Sequence, residues 1–529
     1  MFPDNNPGGR RSLRWSLLPE ALALVLLALQ VLAPWTASPY ITQDGPSHLY
    51  TALVARDLIL HPHGLYAATY IFQHRLTTNW GTIVLFNLLT PIFGAAHAEA
   101  ALASLCVLIA FACMTYFRRS IDPSRLSLDP LTNFLINAWF LSVGYYDFYL
   151  AMAICMMLAG FCIRHSESPT RRQSAAFCAG LTALFFVHVI GAAMAIMASA
   201  FILIWRYRRA SWRRSVPLVA AMIPVVILSG FFAKGYSSGP LSAPDVRSAW
   251  DSFPMHAFAA ARGRAPEEAL LVPAMLFLMV AGVAALREDE WQTVRLPLAV
   301  AALASFAAYL FVPDVGFGGG GSKIRFAWAV FLFGCPVALS GARLRPLRTP
   351  LSLYVACFLA ASSIATSHLN RNLSRAVQAY ASALHDIPEG STMIRMHYAA
   401  QGARERFGVD DLSSDPLLHA DAWIASQRHL VDLTDYQAPS RMFAVGFAKT
   451  FSGLEQQRMY SLEGGESAGL GRLKQVLEDL RERPSYVVLF GDEGSQQTQT
   501  SDFAASVTWL DSNLDPVAQY PFVRVCRTR

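Results

Sequence analysis

The sequence predicts an all-α polytopic membrane protein with a small C-terminal α/β domain outside the membrane. Its 529 residues are 54% hydrophobic and 15% charged, whereas soluble proteins carry about 25% charged residues. Several apolar runs reach the roughly 20 residues that a helix needs to cross a bilayer. Beyond residue 367 the apolar runs shorten to the length of strands, as at Tyr486 to Phe490, and a helical pattern covers 470–483. We therefore expect a membrane domain at 1–367 and an extracytoplasmic domain at 368–529.

About eleven apolar segments are long enough to be spans of the membrane domain. They are 17–36, 97–117, 130–146, 148–163, 174–189, 190–205, 215–233, 269–286, 296–312, 326–342 and 349–367. Arg10, Arg11 and Arg14 flank the first span, which predicts a cytoplasmic N-terminus, because cytoplasmic loops are rich in Lys and Arg. Strict alternation then leaves every short basic loop on the cytoplasmic side. The basic excess thus reports topology and argues against a nucleic-acid partner.

One apolar run, Trp80 to Phe93, is too short for a comfortable span at about 14 residues. Counting it as a span would place Arg118 and Arg119 outside and break the alternation that follows. We interpret it as an interfacial or re-entrant helix within the first outer loop, residues 37–96. A short tilted span is the alternative.

The segment Gln43-Asp44-Gly45-Pro46-Ser47-His48 places a carboxylate just beyond the outer end of the first span. Ionisable groups at the membrane are costly and are usually functional. Gly45-Pro46 predicts a turn into a helix, so Asp44 is either a catalytic carboxylate or an N-cap, and the two roles are compatible. His48, one helical turn further on, is a candidate to bond this carboxylate or a phosphate. A passive interfacial histidine is the alternative.

A second acid, Asp147, lies in the run Tyr145-Tyr146-Asp147-Phe148-Tyr149, at an outer corner between two predicted spans. A carboxylate among aromatic rings fits a site where sugars stack on rings, and it also fits an interfacial aromatic belt. We predict a catalytic role for Asp147 and a substrate contact for Tyr146. The alternative is an interfacial acid that faces water.

Two cations, Lys323 and Arg325, follow a glycine run and directly precede a predicted span. They are candidates to bind a phosphate headgroup, with Arg325 favoured because its guanidinium offers a bidentate fork. Anchoring to the outer surface is the alternative. Asn79 and Trp80, which open the interfacial helix, and His188 at an outer corner are further candidate substrate contacts, each with a purely structural alternative.

The run from Gln43 to His48, the interfacial helix and the span that ends at Arg118-Arg119 together resemble the GT-C superfamily of membrane glycosyltransferases. The resemblance is to the protein mannosyltransferase and aminoarabinose transferase branches. It implies an acid in the first outer loop, matched by Asp44, a second acid in some branches, matched by Asp147, and a cation near the lipid phosphate, matched by Arg325. Many relatives carry a second acid beside the first, whereas Gly45 follows Asp44 in this chain, which leaves divalent-cation binding open.

The resemblance implies a glycosyltransferase that moves a sugar from a polyprenyl-phosphate-linked donor to a glycan, lipid or protein acceptor on the extracytoplasmic face. Asp44 would be the general base of an inverting reaction, with cations clamping the phosphate. The alternatives are a transporter or flippase of lipid-linked sugars, and a non-catalytic scaffold with an outer binding domain. Polar groups gathered at one face favour the enzyme over the transporter. A composition rich in Ala and Arg and poor in Lys is typical of GC-rich bacteria, which predicts the inner membrane and its lipids as surroundings.

Overall fold

A computed structural model describes residues 18–122, 130–207, 215–236, 245–261, 277–278, 280–281, 292–314, 321–340, 347–397, 415–440, 442–448, 451, 469–479, 484–491, 501–520 and 522–529. Helices dominate the first part of this chain. They are α1 (Leu18–Leu32), α2 (Gly45–Leu60), α3 (Trp80–Phe93), α4 (Ala95–Ile121), α5 (Pro130–Ile136), α6 (Trp139–Val143), α7 (Tyr146–His165), α8 (Arg171–Val187), α9 (Val189–Tyr207), α10 (Val216–Tyr236), α11 (Val246–Ala261), α12 (Gln292–Phe311), α13 (Ser322–Leu339) and α14 (Arg348–Ala383). Later helices are α15 (Ala420–Arg428), α16 (Gly469–Asp479) and α17 (Ser501–Asn513). The strands are β1 (Tyr70–Phe72), β2 (Thr392–His397), β3 (Val431–Asp432), β4 (Val445–Phe447), β5 (Tyr486–Phe490), β6 (Asp515–Tyr520) and β7 (Val523–Arg527).

Eight of the described helices are long and apolar enough to cross a membrane, so the chain is a multi-pass membrane protein. They coincide with the predicted spans 17–36, 97–117, 148–163, 190–205, 215–233, 296–312, 326–342 and 349–367. The predicted span 174–189 is helix α8, which has 17 residues. The predicted span 269–286 lies almost entirely outside the described residues. Helix α10 exposes Val219, Ile223 and Phe231, as expected for a helix that contacts lipid.

The segment predicted as a span at 130–146 is not one continuous helix. It forms α5 and α6, separated by an extended residue with φ −152° and ψ 143°. Together α5 and α6 still run from one face of the protein to the other. At one end the hydroxyl of Thr132 accepts a hydrogen bond from Arg118, near the end of α4. At the other end the carbonyl of Val143 accepts a hydrogen bond from the backbone N–H of Asp44 at 2.9 Å. Every residue of α5 is buried and Ala138 at the break is 2% exposed, so the interrupted backbone is shielded from lipid.

Helix α3 has both ends on the face of the first outer loop. Its first turn is hydrogen-bonded to the start of α7, where the backbone N–H and the hydroxyl of Thr82 donate to the carboxylate of Asp147. Its last residue leads directly into α4, where Glu99 accepts from Thr42. One side of α3 exposes apolar residues spaced by single helical turns, namely Val84, Leu88 and Ile92. These residues form a continuous apolar side along α3, and the placement of this helix at the membrane interface stays a prediction.

The described C-terminal residues form a mixed five-stranded sheet in the order β3-β2-β5-β7-β6. Strand β2 pairs in parallel with β3 and β5, whereas β7 pairs antiparallel with β5 and β6. Strand β5 is buried along its whole length, as its apolar sequence predicts. Helix α16 covers the described part of the predicted helix 470–483. Helix α14 continues unbroken across residue 368, so the division into domains 1–367 and 368–529 stays a prediction.

The C-terminal residues are docked on the first outer loop. Strands β1 and β4 pair antiparallel, with Tyr70 opposite Phe447. The hydroxyl of Tyr50 donates to the carbonyl of Leu430 at 3.2 Å and accepts from the backbone N–H of Asp432 at 2.8 Å. The hydroxyl of Tyr70 also donates to the carbonyl of Asp432. These contacts join residues about 380 positions apart and hold the C-terminal segment against the loop.

Candidate active site

A cavity of about 440 Å³ lies between the first outer loop, several membrane helices and the C-terminal segment. Its polar lining includes Gln43, Asp44, His48, Asn79, Asp147, His188, Ser322, Arg325, His419, Tyr436 and Ser440. Its apolar lining includes Val189, Ile190, Ala193, Phe232, Ala233, Val312, Phe326, Leu418, Met442 and Phe443. The cavity therefore joins charged groups to an apolar wall.

Six of the predicted site residues line this cavity, namely Asp44, Asp147, His48, Asn79, Arg325 and His188. The other three do not line it. Tyr146 is fully buried, and its hydroxyl donates to Oε1 of Glu99 at 2.9 Å. The indole N–H of Trp80 donates a hydrogen bond to Oγ1 of Thr77, three residues earlier, at 3.0 Å. The ammonium of Lys323 lies 5.9 Å from the ring centroid of Tyr309.

Asp44 is 7% exposed and lines the cavity. The hydroxyl of Tyr436 donates to Oδ2 at 2.8 Å, and the side-chain amide of Gln43 donates to Oδ1 at 3.3 Å. Nε2 of His419 lies 3.9 Å from Oδ1. Burial raises the pKa of Asp44 to about 6, although both hydrogen bonds and the charge of Arg325 lower it. Asp44 is therefore mainly ionised at neutral pH and is a stronger base than an exposed aspartate.

The side chain of Asp44 makes no capping hydrogen bond at the described start of α2. Thr42 does this instead, since its Oγ1 accepts from the backbone N–H of Gly45 at 3.1 Å. Glu99 in turn holds Thr42, because its Oε1 accepts from the backbone N–H at 2.9 Å and from Oγ1 at 2.6 Å. A Cβ on Gly45 would lie 1.9 Å from Glu99 Oε1, so a larger residue there would require Glu99 or the turn to shift. A second acid thus does lie beside the turn of Asp44, but it comes from α4.

Two side chains that sequence reasoning missed complete the surroundings of Asp44. The rings of Tyr436 and His419 stack, with centroids 4.7 Å apart and an interplanar angle of 24°. Burial lowers the pKa of His419 well below its ordinary value, so this ring is neutral beside the carboxylate. Tyr436 follows β3, and ligand sites often lie beyond the carboxyl ends of parallel strands. That rule was the one available signal, and it requires the pairing of β3 with β2, which the sequence does not reveal.

His48 follows Asp44 by one helical turn, but its ring nitrogen forms its hydrogen bonds with residues other than Asp44. Its Nδ1 accepts from the amide of Gln437 at 3.1 Å and lies 3.3 Å from Oγ1 of Thr82. Burial lowers the pKa of His48 to about 3, so the ring is neutral at physiological pH. With Nδ1 accepting, the neutral ring carries its proton on Nε2. His48 is therefore suited to donate one hydrogen bond to a substrate.

Asp147 is bonded to the first turn of α3. Its Oδ1 accepts from the backbone N–H of Thr82 at 2.8 Å, and its Oδ2 accepts from the hydroxyl of Thr82 at 2.6 Å. A Cβ on Gly81 would lie 2.4 Å from Oδ1, so glycine permits this approach. The start of a helix carries partial positive charge, which stabilises a carboxylate there. Asp147 therefore anchors the start of α3 while it lines the cavity.

Arg325 lies in the first turn of α13 and lines the cavity. Its Cζ lies 5.1 Å from the ring centroid of Tyr145 and 5.5 Å from that of Phe148. Its charge lowers the pKa of Asp44, so the cation acts on the carboxylate. Gly321, which precedes the helix, has φ +73°, a conformation that favours glycine; the rest of the glycine run lies outside the described residues. A helix N-terminus beside an arginine is suited to bind a phosphate.

His188 and Asn79 line the cavity, and each also has a structural role. Nδ1 of His188 accepts from the backbone N–H of Ile190 at 3.2 Å, and its ring packs edge-on against Phe148 at 5.3 Å. Asn79 precedes α3 with φ +60°, a left-handed conformation that Asn tolerates better than most residues. These contacts agree with the structural alternative for both residues and leave their substrate contacts as predictions.

Within the described part of the chain, no group of three or more His, Cys, Asp and Glu side chains is placed to hold a metal ion. The carboxylate of Asp44 accepts a hydrogen bond from Tyr436, whereas that of Asp147 accepts one from Thr82, so the two acids have separate partners. Binding of a divalent cation stays open.

No family model and no curated protein sequence matches the chain. Among solved structures, it is similar to ArnT from Cupriavidus metallidurans, a GT-C aminoarabinose transferase whose crystal structure was determined bound to undecaprenyl phosphate. The similarity covers 97% of each chain, with a TM-score of 0.50 and 12% sequence identity. The chain therefore has a GT-C-like fold, which confirms the fold that the sequence resemblance predicts.

Proposed function

We propose that this protein is a membrane glycosyltransferase that moves a sugar from a polyprenyl-phosphate-linked donor to a glycan, lipid or protein acceptor. The observation that carries the proposal is a buried carboxylate, Asp44, and a cation, Arg325, on one amphipathic cavity. The likeness to ArnT, crystallised with undecaprenyl phosphate, supports the same class of donor. We place the reaction on the extracytoplasmic face of a bacterial inner membrane, with the C-terminal residues on that side.

The apolar wall of the cavity is the reason to infer a donor carried on a lipid. Helices α9, α10 and α13 contribute Ile190, Phe232 and Phe326 to this wall, and Val312 joins it directly after the end of α12. A polyprenyl chain would contact these side chains while its phosphate and sugar reach the polar residues. A volume of about 440 Å³ falls within the roughly 300–1,000 Å³ of ordinary ligand pockets. It is suited to a single headgroup with its first lipid units.

Asp44 is the proposed general base. The acceptor hydroxyl or amine gives its proton to this carboxylate as its oxygen or nitrogen attacks the anomeric carbon, and the bond from that carbon to the lipid-phosphate oxygen breaks. A pKa of about 6 leaves the carboxylate ionised near neutral pH. Tyr436 is a positioning residue, since its hydroxyl donates to Asp44. A single displacement opposite the leaving group inverts the configuration at the sugar.

The leaving lipid phosphate is already an anion and needs charge stabilisation more than a proton. Arg325 and the N-terminus of α13 supply that stabilisation. The catalytic role of Asp147 stays a prediction. Both of its oxygens accept from Thr82, so we propose that it also holds α3 against the cavity.

A transporter or flippase of lipid-linked sugars is the second candidate. Transporters place their key polar groups near the middle of the membrane, often on broken helices. In the described spans the buried charged residues lie near helix ends instead, namely Glu99, Arg118, Asp147 and Arg295. The centres of these spans are apolar, which favours the enzyme.

The test is Asp44→Asn, assayed in proteoliposomes with a panel of polyprenyl-phosphate sugars by release of polyprenyl phosphate. We expect a loss of turnover of about 100-fold or more, because a general base contributes about 10²–10⁴-fold. Asp57→Asn is the matched control, since Asp57 lies on the same helix, bonds His61 and does not line the cavity. Equal turnover in both variants would contradict the proposal. Translocation of an intact donor without release of its sugar would identify a flippase.

A further inference from the structure

A second recess lies where the end of the first span meets α14, and we refer to it as the α14 recess. It has a volume of about 380 Å³. Its lining includes Thr36 and Ser38 from the end of the span and His368, Arg371, Ser374 and Arg375 from α14. It shares no lining residue with the catalytic cavity. The recess is therefore a separate site candidate with a basic lining.

The exposed side chains of α14 place this recess at the membrane boundary. The helix has 36 residues, about 54 Å, whereas the hydrocarbon core is about 30 Å thick. The apolar side chain of Ile364 is 68% exposed. The exposed positions that follow are polar, namely His368, Arg371 and Arg375. This change from apolar to basic marks the level at which α14 leaves the lipid.

The two arginines are available to a ligand. Among the described residues, neither Arg371 nor Arg375 forms an ion pair. Arg371 donates to the carbonyl of Ser367 at 3.3 Å, and Arg375 donates to Oδ1 of Asn372 at 2.5 Å. Each guanidinium has five N–H donors, so most of them stay unused by the protein. Arginine on the predicted outer side also runs against the positive-inside rule, so topology does not account for this pair.

The recess is built from fixed backbone. Nδ2 of Asn370 donates to the carbonyl of Ala33 at 3.2 Å, and Nε2 of Gln378 donates to the carbonyl of Ser38 at 2.6 Å. These bonds pin the end of the first span along α14, on both sides of the arginines. Trp35, beside the recess in sequence, is 40% exposed, and tryptophan at this level is typical of the membrane interface.

We propose that the α14 recess binds the phosphate group of an anionic lipid in the outer leaflet. Arg371 and Arg375 would hold the phosphate oxygens, for which the planar guanidinium is well matched. The acyl chains would lie along the exposed apolar side chains of Leu32 and Ile364. This adjacent apolar surface favours a lipid headgroup over a soluble phosphate.

The experiment is native mass spectrometry of the full-length protein in detergent, titrated with dioleoyl phosphatidic acid or dioleoyl phosphatidylcholine. We expect the protein to retain phosphatidic acid over phosphatidylcholine by about tenfold or more, since each basic residue near a membrane adds about 1 kcal/mol towards anionic lipid. Arg371→Gln with Arg375→Gln should remove this preference. Arg56→Gln, an exposed arginine on α2 outside both cavities, should keep it.

Two results would overturn the proposal. One is an unchanged preference for phosphatidic acid in the double variant, provided that its elution profile and melting temperature match those of the wild type. The other is competition by inorganic phosphate that depends on both arginines while the two lipids bind equally, which would indicate a site for free phosphate. Neither result depends on sugar transfer, so failure of the proposed activity and failure of this site can be told apart.

Discussion

The first outer loop and the C-terminal residues from Leu418 to Ser440, with Met442 and Phe443, line the same cavity, yet only the loop is recognisable in the sequence. The loop places Asp44 through a turn whose determinants are neighbours in sequence, above all Gly45 and Pro46. The C-terminal residues contribute Tyr436, which bonds Asp44 from 392 positions away. A turn is encoded locally, whereas a partner brought in by docking is encoded by two distant surfaces that must match.

The two regions are also held by different interactions. Thr42 in the loop depends on the carboxylate of Glu99, which accepts from its backbone and its hydroxyl. The C-terminal region depends on the buried ion pair of Arg395 with Asp421 at 2.9 Å, both almost fully buried. Removing one partner of a buried pair costs about 3–5 kcal/mol. Damage to the loop should therefore affect turnover first, and damage to the C-terminal pair should affect folding first.

The largest expected effect on the loop is that of Gly45→Ala. The added Cβ would lie 1.9 Å from Oε1 of Glu99 and would shift the turn that places Asp44. We expect turnover to fall about 100-fold, since a misplacement of roughly 1 Å can cost that much, and stability to fall by about 1–3 kcal/mol. Kinetics and thermal unfolding would measure both. Gly471→Ala is the control, because a Cβ there meets nothing within 4 Å; equal effects of the two variants would contradict this account.

The C-terminal contribution is tested by Tyr436→Phe. This change removes a hydrogen bond that lowers the pKa of Asp44, so the pKa should rise above about 6. We expect turnover at pH 7 to fall about tenfold, as for loss of a charge-assisted hydrogen bond of about 1.5 kcal/mol, and the acidic limb of the pH–rate profile to move to higher pH. A purely structural tyrosine would lower the rate without moving that limb. Tyr520→Phe, on the exposed strand β6, is the control.

The last prediction concerns the stability of Asp44→Asn and not its turnover. The pKa of Asp44 is about 6 in the folded protein against an ordinary 3.8. Between these values the folded state keeps a proton that the unfolded chain has lost, so the stability contributed by this group is present at low pH and is lost as the pH rises to about 6. At pH 8 the buried charge costs about 3 kcal/mol, at about 1.4 kcal/mol per pKa unit.

Replacing Asp44 with Asn removes that cost and keeps an acceptor for Tyr436. We expect the melting temperature to rise by a few degrees at pH 8 and to be unchanged near pH 4. A lower melting temperature at pH 8 would show that the ionised carboxylate stabilises the fold.

Much of the helical architecture could be predicted from the sequence, because a span is recognised by the length of its apolar run and loops by their charge. The break between α5 and α6 escaped that reasoning, since both short helices are apolar and only their buried surroundings permit an interrupted backbone. In the site, Asp44, Asp147 and Arg325 stood out as charges beside apolar spans. Tyr436 and His419 did not, because nothing in their local pattern separates them from residues of an ordinary domain.

The sequence by itself determined that the chain crosses a membrane repeatedly, that an acid follows the first span and that a polar domain follows the last, since these features depend on local composition. Only the tertiary structure decided which side chains face each other. It placed Glu99 against Gly45, bonded Asp147 to Thr82 and carried Tyr436 to Asp44. Such contacts depend on the packing of segments far apart in the chain, and the free energy of that packing is set by shape and hydrogen bonding that no single stretch of residues contains.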